Sequence, residues 1–366
     1  MIEFESVSKR FPDGTLAVDD VSFTAAKGEI TVLVGPSGCG KTTSLAMVNR
    51  LVDVTSGRIL VDGRDIAELD RVELRRGIGY VIQQVGLFPH RTVVDNVSTV
   101  PWLLGWDKAR ARSRSYELLE LVGLSTEQAE RYPAQLSGGQ QQRVGVARAL
   151  ASDPPVMLMD EPFSAVDPVV RAGLQDEFLR LQEQVGKTIL FVTHDIDEAI
   201  KLGDRVAIFR DGGHLAQLDA PGRLLAEPVD DFVASFVGRD RGYRRLSFLS
   251  AGEVVVHPVP TTRVGEATGA DGWTLVLDEA GRPLGWTGRA DSVAEDGLEP
   301  LGSTFTADGS LRSAFDAVLV SPAGLGVRVD ADGRLDGVAG HDEVAAEHRR
   351  VVLGDPGPPP LAREPG

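Results

Sequence analysis

Residues 35–42 read Gly35-Pro36-Ser37-Gly38-Cys39-Gly40-Lys41-Thr42, which fits the phosphate-binding pattern G-x-x-x-x-G-K-[ST]. The apolar run Ile30–Val34 before it predicts a buried strand, and Thr42–Val52 after it predicts a helix. Glycines let backbone N–H groups turn towards an anion, and the helix start adds a favourable dipole. The pattern therefore predicts a nucleotide site in which Lys41 reaches the β- and γ-phosphates and Thr42 contacts Mg²⁺.

We expect the whole loop, and the residue that follows it, to contact the nucleotide. The predicted contact residues are Gly35, Pro36, Ser37, Gly38, Cys39, Gly40, Lys41, Thr42 and Thr43. Cys39 occupies a free position of the pattern, where a tolerated small residue explains it better than a redox role. It is the one cysteine of the chain, so an intramolecular disulfide is excluded, which fits a reducing cytoplasm.

Two further apolar runs end in polar side chains. Val156–Met159 leads to Asp160 and Glu161, and Thr188–Val192 leads to His194. Phosphates bind at the carboxyl edge of parallel sheets, so we expect Asp160 to hold Mg²⁺, directly or through water. Glu161 should act on the attacking water, and His194 should hydrogen-bond both the γ-phosphate and that carboxylate. Taken alone, either group of polar side chains would also be explained as a strand end that faces solvent.

Strand-like and helical segments alternate through the first two thirds of the chain. This alternation predicts an α/β fold with a parallel sheet that is covered on both faces. Near the N-terminus, Ile2–Val7, Val21–Thr24 and Arg58–Val61 predict antiparallel strands.

Beyond this first domain the chain contains an internal repeat. Leu275–Gly285 resembles Val327–Gly337, and the offset of 52 residues places Asp278 on Asp330. Each copy predicts a strand, an acidic glycine turn and a second strand, and two such short copies predict half-domains that bury each other's apolar faces. The last residues are rich in Pro and Gly. The predicted domains are residues 1–238, residues 239–348 and a disordered tail at residues 349–366.

Composition excludes several classes of protein. The net charge of −16 argues against DNA or RNA as a main partner, because such proteins usually present a basic face to phosphates. Met1–Glu5 lacks the basic start of a signal peptide, and no stretch approaches the ~18 consecutive apolar residues of a spanning helix. If this protein works at a membrane, a partner must hold it there.

The run Leu136-Ser137-Gly138-Gly139-Gln140 opens a predicted helix and offers N–H donors to a second anion. This pentapeptide resembles the signature of ABC transporter ATPases, whose other motifs follow in order and spacing from about Ile2 to Gly238. The resemblance implies a P-loop ATPase fold with an antiparallel β subdomain and a helical subdomain. It also implies a two-fold homodimer, in which residues 137–140 of one subunit cap the ATP of the other.

The same resemblance implies roles for other residues. Phe11 stands where the family has an aromatic ring, more often tyrosine, that stacks on adenine. Gln83 stands where a glutamine contacts Mg²⁺ and links the ATPase to the membrane partner, and Gln84 is adjacent. Asp167, at the end of Ser164–Asp167, belongs to the loop that crosses the dimer interface.

Asn49–Leu51, Gly79–His90 and Val100–Trp106 resemble the ATPases of quaternary-amine uptake systems, which import glycine betaine, choline, carnitine or proline. This resemblance implies integral membrane permease subunits, a substrate-binding protein, and an ATPase on the cytoplasmic face of the membrane. The ATPase of an importer for another solute, such as an amino acid, would also fit. A soluble ABC ATPase of translation or DNA repair is another alternative, but those proteins typically have two fused nucleotide cores or a long coiled coil. The repeat disfavours the ATPase of an exporter.

The repeat resembles the tandem CBS modules that members of that group often carry. CBS modules that bind adenosine nucleotides place Thr or Ser three residues after the last glycine, where this chain has Gly288 and Gly340. The resemblance therefore implies a degenerate CBS pair for dimerisation or for sensing ionic strength. The alternative is a small β-rich domain of the kind found after sugar and metal importer ATPases.

Overall fold

The chain folds into two compact units, Met1–Gly238 and Arg239–Gly366, each with its own apolar core. The computed structural model describes residues 1–83, 86–164, 166–269 and 272–353. Gln84 and residues 354–366 of the predicted tail lie outside these ranges. Among the described residues, no helix combines the length and the apolar character needed to cross a bilayer.

The first unit contains ten strands and ten α-helices in its described residues. The strands are β1 (Ile2–Arg10), β2 (Leu16–Ala25), β3 (Ile30–Val34), β4 (Ser56–Val61), β5 (Arg64–Asp65), β6 (Ile78–Val81), β7 (Val156–Asp160), β8 (Thr188–Thr193), β9 (Arg205–Arg210) and β10 (His214–Asp219). The helices are α1 (Lys41–Val48), α2 (Arg71–Arg76), α3 (Val93–Leu103), α4 (Lys108–Leu121), α5 (Thr126–Ala129), α6 (Gly138–Leu150), α7 (Pro168–Val185), α8 (Ile196–Leu202), α9 (Pro221–Ala226) and α10 (Asp231–Phe236).

A six-stranded sheet in the order β10-β9-β3-β8-β7-β6 forms the centre of the first unit, and all its pairs are parallel except β9 with β10. Every residue of β3, β7 and β8 is buried, as their continuous apolar sequences require. The register pairs Val34 with Thr193 and Asp160 with Val192, so the three strands end at one edge. The predicted parallel sheet is confirmed.

A second sheet, in the order β2-β1-β4-β5, is antiparallel throughout, as the N-terminal sequence predicts. Phe4 and Phe23 stack across its first strand pair with ring centroids 4.4 Å apart. Both rings lie in a core cluster that also contains residues of β3 and α1. This sheet therefore packs beside the phosphate loop.

The first helix is shorter than predicted, because it ends at Val48 and not at Val52. Arg50 adopts a left-handed backbone with φ of 48°, which stops the helix. Its guanidinium donates to the carbonyl oxygens of Ile66 and Leu69, which lie 16 and 19 residues further along. A tertiary contact of this kind cannot be read from local sequence.

The second unit has two small sheets, in the orders β11-β12-β13-β14 and β15-β16-β17. Its strands are β11 (Thr261–Arg263), β12 (Thr274–Leu277), β13 (Pro283–Thr287), β14 (Glu299–Pro300), β15 (Thr304–Phe305), β16 (Gly326–Val329) and β17 (Leu335–Ala339). Its helices are α11 (Arg241–Arg245), α12 (Leu311–Val320) and α13 (His341–Leu353). The prediction of a disordered tail from residue 349 is wrong for residues 349–353, because α13 continues to Leu353. Within this helix Arg350 pairs with the buried Glu347 (2.6 Å).

The two repeat copies have the same turn. In the first copy, Asp278 N–H donates to Arg282 O (2.9 Å) and Arg282 N–H donates to Asp278 Oδ1 (2.7 Å). Asp330 and Arg334 repeat both bonds at 2.9 and 2.8 Å. Each copy pairs one parallel strand and one antiparallel strand with its central strand. In the second copy, α12 connects β15 to β16; among the described residues of the first copy, β11 and β12 are joined without a helix.

The two copies share a small core. Leu275 and Trp286 of the first copy and Val327 and Val338 of the second form one buried cluster. The two turns also touch, since the Arg282 side chain donates to the carbonyl of Asp332 (3.0 Å). The half-domains bury each other's apolar faces, as the repeat predicts.

Candidate functional site

The phosphate loop lies between β3 and α1, and its glycines have conformations that other residues resist. Gly40, immediately before α1, has φ of 92°, and a Cβ atom there would lie 2.0 Å from Ala17 O. The Lys41 ammonium donates to the carbonyl oxygens of Gly35 and Pro36, both at 2.8 Å. Backbone crowding that excludes a side chain at Gly40, together with the buried Lys41 ammonium beside the loop carbonyls, fits a bound phosphate chain.

Cys39 is buried beneath the loop, with 1% of its surface exposed. Burial raises the pKa of its thiol, which disfavours the reactive thiolate. Its place in the core supports the prediction of a small packing residue without a redox role.

Thr42 and Asp160 meet where α1 begins and β7 ends. The Thr42 hydroxyl donates to Asp160 Oδ1 at 3.1 Å. Burial raises the pKa of Asp160, the neighbouring Glu161 adds to this effect, and Lys41 opposes it. A hydroxyl and a carboxylate at this distance are ligands that suit Mg²⁺, which usually keeps several waters and takes few protein ligands.

Glu161 is the centre of a polar cluster at the sheet edge. Gln83 Nε2 donates to Glu161 Oε2 at 3.0 Å, and His194 Nδ1 lies 3.1 Å from Glu161 Oε1. The backbone of Glu161 has φ of 44°, an uncommon conformation for a glutamate, and its N–H donates to Val192 O at 2.9 Å. The structure thus brings together residues that are far apart in sequence, as the shared strand ends predict.

A second layer behind His194 was not predicted. Glu198 of α8 is 5% exposed and accepts a hydrogen bond from Gln175 Nε2 (3.0 Å). Burial raises the pKa of Glu198. Gln175 belongs to α7, so this carboxylate joins α7 to α8, the helix that follows His194 in the chain. The only sequence signal is a glutamate three residues after Asp195, the N-cap of α8.

The signature lies at the start of α6. The Ser137 side chain accepts from Gln140 N–H (3.3 Å), and Gln140 Oε1 accepts from Ser137 N–H (2.9 Å), which is a capping box. Ser137 and Gly138 are exposed. Among the described residues of this chain, no hydrogen bond joins the signature to the phosphate loop. The donors of this helix start therefore face outward.

Two other predicted residues lie apart from the cluster around Glu161. The half-buried ring of Phe11 has the Lys9 ammonium 5.2 Å from its centroid. Asp167 is exposed at the start of α7, where its carbonyl accepts from Arg171 N–H (2.8 Å). Neither position conflicts with its predicted role.

A family model described as "ABC transporter" matches residues 18–164. The osmoprotectant import ATP-binding protein of Salmonella typhimurium is 46% identical to this chain, over 94% of this chain and 95% of its own length. The glycine betaine/carnitine/choline transport ATP-binding protein of Bacillus subtilis is 49% identical over 73% of this chain and 70% of its own. The glycine betaine uptake system ATP-binding protein of Escherichia coli is 50% identical over 70% and 82%.

Solved structures agree with these relatives. The dimeric, post-hydrolysis ATP-binding cassette MJ0796 bound to ADP and Pi is 34% identical, with a TM-score of 0.55 over 60% of this chain and 99% of its own. The protein cbiO1 of Clostridium perfringens, part of an ABC transporter complex, is 29% identical, with a TM-score of 0.58 over 62% and 90%. The phosphate loop, the acidic strand end and the signature together with these similarities establish the family: the chain belongs to the ABC transporter ATPases, the subunits that bind and hydrolyse ATP with Mg²⁺.

Proposed function

We propose that this chain is the ATPase subunit of an importer for quaternary-amine osmoprotectants of the glycine betaine, choline and carnitine type. The observation that carries the proposal is similarity over both units: the Salmonella relative is matched over 94% of this chain. The other two relatives support the same substrate class by name, over shorter spans. An importer of another small solute, such as an amino acid, stays the alternative because the ATPase does not touch the cargo.

In the proposed mechanism, Glu161 receives a proton from, or polarises, the water that attacks the γ-phosphate. Gln83 and His194 each hold one of its carboxylate oxygens, which fixes the orientation of the base. Lys41 exchanges its loop carbonyl partners for phosphate oxygens, so its charge is already at the site when ATP binds. When bound, Mg²⁺ would neutralise developing phosphate charge, and Thr42, Asp160 and Gln83 are the residues that would hold it.

The outward-facing signature supports a homodimer. The helix start formed by Ser137, Gly138, Gly139 and Gln140 is exposed at its first two residues and half-buried at the next two, which favours an anion supplied from outside this chain. In a two-fold dimer this anion is the ATP held by residues 35–43 of the second subunit, with Phe11 against its adenine and Asp167 at the interface. Closure on ATP and reopening after hydrolysis would then drive the membrane partners.

Those partners are integral permease subunits, which hold the ATPase on the cytoplasmic face of the membrane, and a substrate-binding protein that delivers the cargo. Gln83 is the residue proposed to connect ATP to the permease, because its side chain contacts Glu161 and the exposed Phe88 follows five residues later in the sequence. The acidic net charge of −16 gives no support to a nucleic-acid partner.

We further propose that residues 239–348 form a degenerate tandem CBS domain that regulates transport. The order β15-α12-β16-β17-α13 in the second copy supports this, together with the repeated turn. Gly288 and Gly340 stand where nucleotide-binding modules have a hydroxyl, which favours dimerisation or ionic-strength sensing over adenine nucleotide binding. Calorimetry with adenine nucleotides on the full chain carrying Lys41→Ala, which disables the phosphate loop, tests this; tight binding would contradict it.

The test of the main proposal is Glu161→Gln. An amide cannot take a proton, so we expect ATP turnover to fall by a factor of about 10² to 10³ while ATP binding is kept and an ATP-dependent dimer accumulates. Glu183→Gln, which makes the same change at an exposed position, is the matched control. Turnover is measured by phosphate release, and dimerisation by size-exclusion chromatography.

Transport is measured in the same variants as uptake of labelled glycine betaine after a salt upshift. Loss of uptake with Glu161→Gln but not with Glu183→Gln supports the quaternary-amine importer. Unchanged uptake with lost hydrolysis refutes the substrate class and leaves the ATPase intact. Near-normal turnover in Glu161→Gln would remove Glu161 from its proposed role.

A further inference from the structure

Arg171 of α7 contacts two segments that are far apart in sequence. It lies in the first turn of the helix, just after residues Ser164–Asp167, the interface loop. Its Nη2 donates to the carbonyl oxygen of Val166 at 3.0 Å. Its Nη1 lies 3.8 Å from Asp195 Oδ2. One guanidinium therefore contacts both the interface loop and the turn that follows His194.

Asp195 fixes the backbone on one side of His194. Its Oδ1 accepts from two N–H groups in the first turn of α8, at 2.9 and 3.3 Å, which caps that helix. Its own N–H donates to Thr193 Oγ1 at 3.0 Å. His194 lies between Thr193 and Asp195, so a shift of Asp195 moves the backbone that carries the imidazole. Arg171 faces the other carboxylate oxygen of Asp195 and restrains such a shift.

The interface loop is also tied to Glu161. Ser164 donates to the Glu161 carbonyl oxygen through its N–H (3.2 Å) and through its hydroxyl (2.9 Å). The Glu161 carboxylate lies 3.1 Å from His194 Nδ1. The contacts form a closed path, in which the interface loop meets this pair at Glu161 and, through Arg171, at His194. A displacement of the loop would therefore act on both members of the pair.

Other contacts already hold α7 against α8. The Lys201 ammonium lies 2.7 Å from Asp176 Oδ1 and donates to the Ala172 carbonyl at 3.1 Å. The buried carboxylate of Glu198 also accepts from α7. A partly exposed ion pair at 3.8 Å adds little to stability, and the buried Nε of Arg171 makes no hydrogen bond with a described residue. Placement of the interface loop explains the contacts of Arg171 better than stability does.

We propose that Arg171 is a positioning residue that couples the interface loop to His194. It holds Asp195 against the loop, which places the imidazole beside Glu161. The inference rests on the proposed function where it takes Asp167 to lie at the interface of a homodimer. Closure of the two subunits then sets the position of the loop, and Arg171 transmits that position to His194.

A double-mutant cycle on ATP turnover tests this coupling. Arg171→Met removes both contacts, and we expect kcat to fall about tenfold while KM for ATP stays within about twofold, because residues 35–43 are unchanged. In His194→Ala the group that Arg171 positions is gone, so adding Arg171→Met should lower kcat by less than about twofold. A purely structural role would lower kcat by the same factor in both backgrounds.

Two further variants control for charge and for helix packing. Arg171→Lys keeps the charge but lacks the planar fork that reaches two partners, so we expect kcat to fall about threefold, again only when His194 is present. Lys201→Met removes a cation and two contacts between α7 and α8 that lie outside the interface loop, and kcat should stay within about twofold of the wild type. Far-UV circular dichroism melts verify that each variant folds.

An equal loss of kcat from Arg171→Met in the two backgrounds would overturn the inference, as would an unchanged kcat in the single variant. If Arg171→Met melts early, the same cycle with Arg171→Lys decides by the same criteria. ATP-dependent dimerisation of Glu161→Gln is measured separately. Its absence would refute the homodimer of the proposed function, whereas the cycle alone decides whether Arg171 positions His194.

Discussion

A histidine–glutamate pair occurs in each unit, and the two pairs are alike in geometry. His194 Nδ1 lies 3.1 Å from Glu161 Oε1 in the first unit, and His257 Nε2 lies 3.3 Å from Glu343 Oε1 in the second. Both imidazoles are about half exposed, and the carboxylates are 18% and 14% exposed. Distance and burial alone do not tell the two pairs apart.

Their surroundings differ. Glu161 follows Asp160 at the end of a buried parallel strand, and its second oxygen accepts from the Gln83 amide. Glu343 lies in the first turn of α13, and its second oxygen accepts from the N–H of Gly340 (2.9 Å), which is a local cap. The comparison teaches that both oxygens of a reactive carboxylate are held by side chains brought from distant segments, whereas Glu343 gives one of its oxygens to a local backbone cap.

The largest expected effect tests this difference directly. His194→Ala removes the group that orients Glu161, and we expect ATP turnover to fall about 10²-fold or more. His257→Ala removes the equivalent imidazole of the second unit and should leave turnover within about twofold, because its partner is Glu343 of that unit. Phosphate release under saturating ATP measures both. Equal losses of ATP turnover in the two variants would contradict the difference drawn between the two histidine–glutamate pairs.

A stability prediction addresses the core of the second unit. Trp286 is fully buried, and in the repeat it is the counterpart of Val338. Trp286→Val gives the first copy the residue of the second and leaves a void, so we expect a loss of about 2–4 kcal/mol in the free energy of unfolding. Urea unfolding monitored by far-UV circular dichroism, a signal that does not depend on the tryptophan, measures this loss. The effect should be confined to the second unit, with ATP turnover unchanged, and a loss below 1 kcal/mol would show that the site collapses around the smaller residue.

Sequence predicts most of the first site because it depends on strand ends. Fully apolar runs before Asp160 and His194 identify buried parallel strands, and such strands must end at one edge. Glu198 was missed for the opposite reason: its partner Gln175 comes from another helix, and helix packing leaves no local signal. The same holds for Arg50, whose contacts with distant carbonyls end α1 early.

In the second unit, the repeat predicts the paired strands and turns because the turn chemistry is local. Asp278 and Asp330 each bond the backbone four residues later, and the pattern is visible in the sequence. The connections before the central strands differ: the second copy has α12, and the first has no helix among the described residues of 264–273. Both connections lie outside the repeated segment.

A smaller effect would sharpen the equivalence of the two copies. Gly281 and Gly333 have φ of 83° and 77°, and no protein atom lies within 3.8 Å of the position of a new Cβ at either site. Gly281→Ala and Gly333→Ala should therefore each lower the free energy of unfolding by about 1 kcal/mol through backbone strain alone. Gly288→Ala, at an open position without positive φ, is the control. If chemical denaturation gives unequal losses in the free energy of unfolding for the two variants, the two turns do not contribute equally to stability.

The smallest effect concerns the layer behind His194 and depends on pH. Burial raises the pKa of Glu198, so between the ordinary glutamate range and this raised value the folded state holds more protons than the unfolded state. The free energy of unfolding therefore falls as pH rises through that window, and this loss of stability is complete above it. Glu198→Gln keeps an oxygen that accepts from Gln175 and cannot ionise.

We expect Glu198→Gln to gain stability relative to the wild type as pH rises, while below the ordinary glutamate range the two proteins differ little. Denaturant unfolding at a series of pH values measures the difference. Gln175→Ala is the second arm, because it removes the donor to the Glu198 carboxylate and should destabilise the wild type most above the window, where that carboxylate is charged. A constant difference across pH would mean that Glu198 does not titrate there. The link from α7 to α8 would then rest on hydrogen bonding alone.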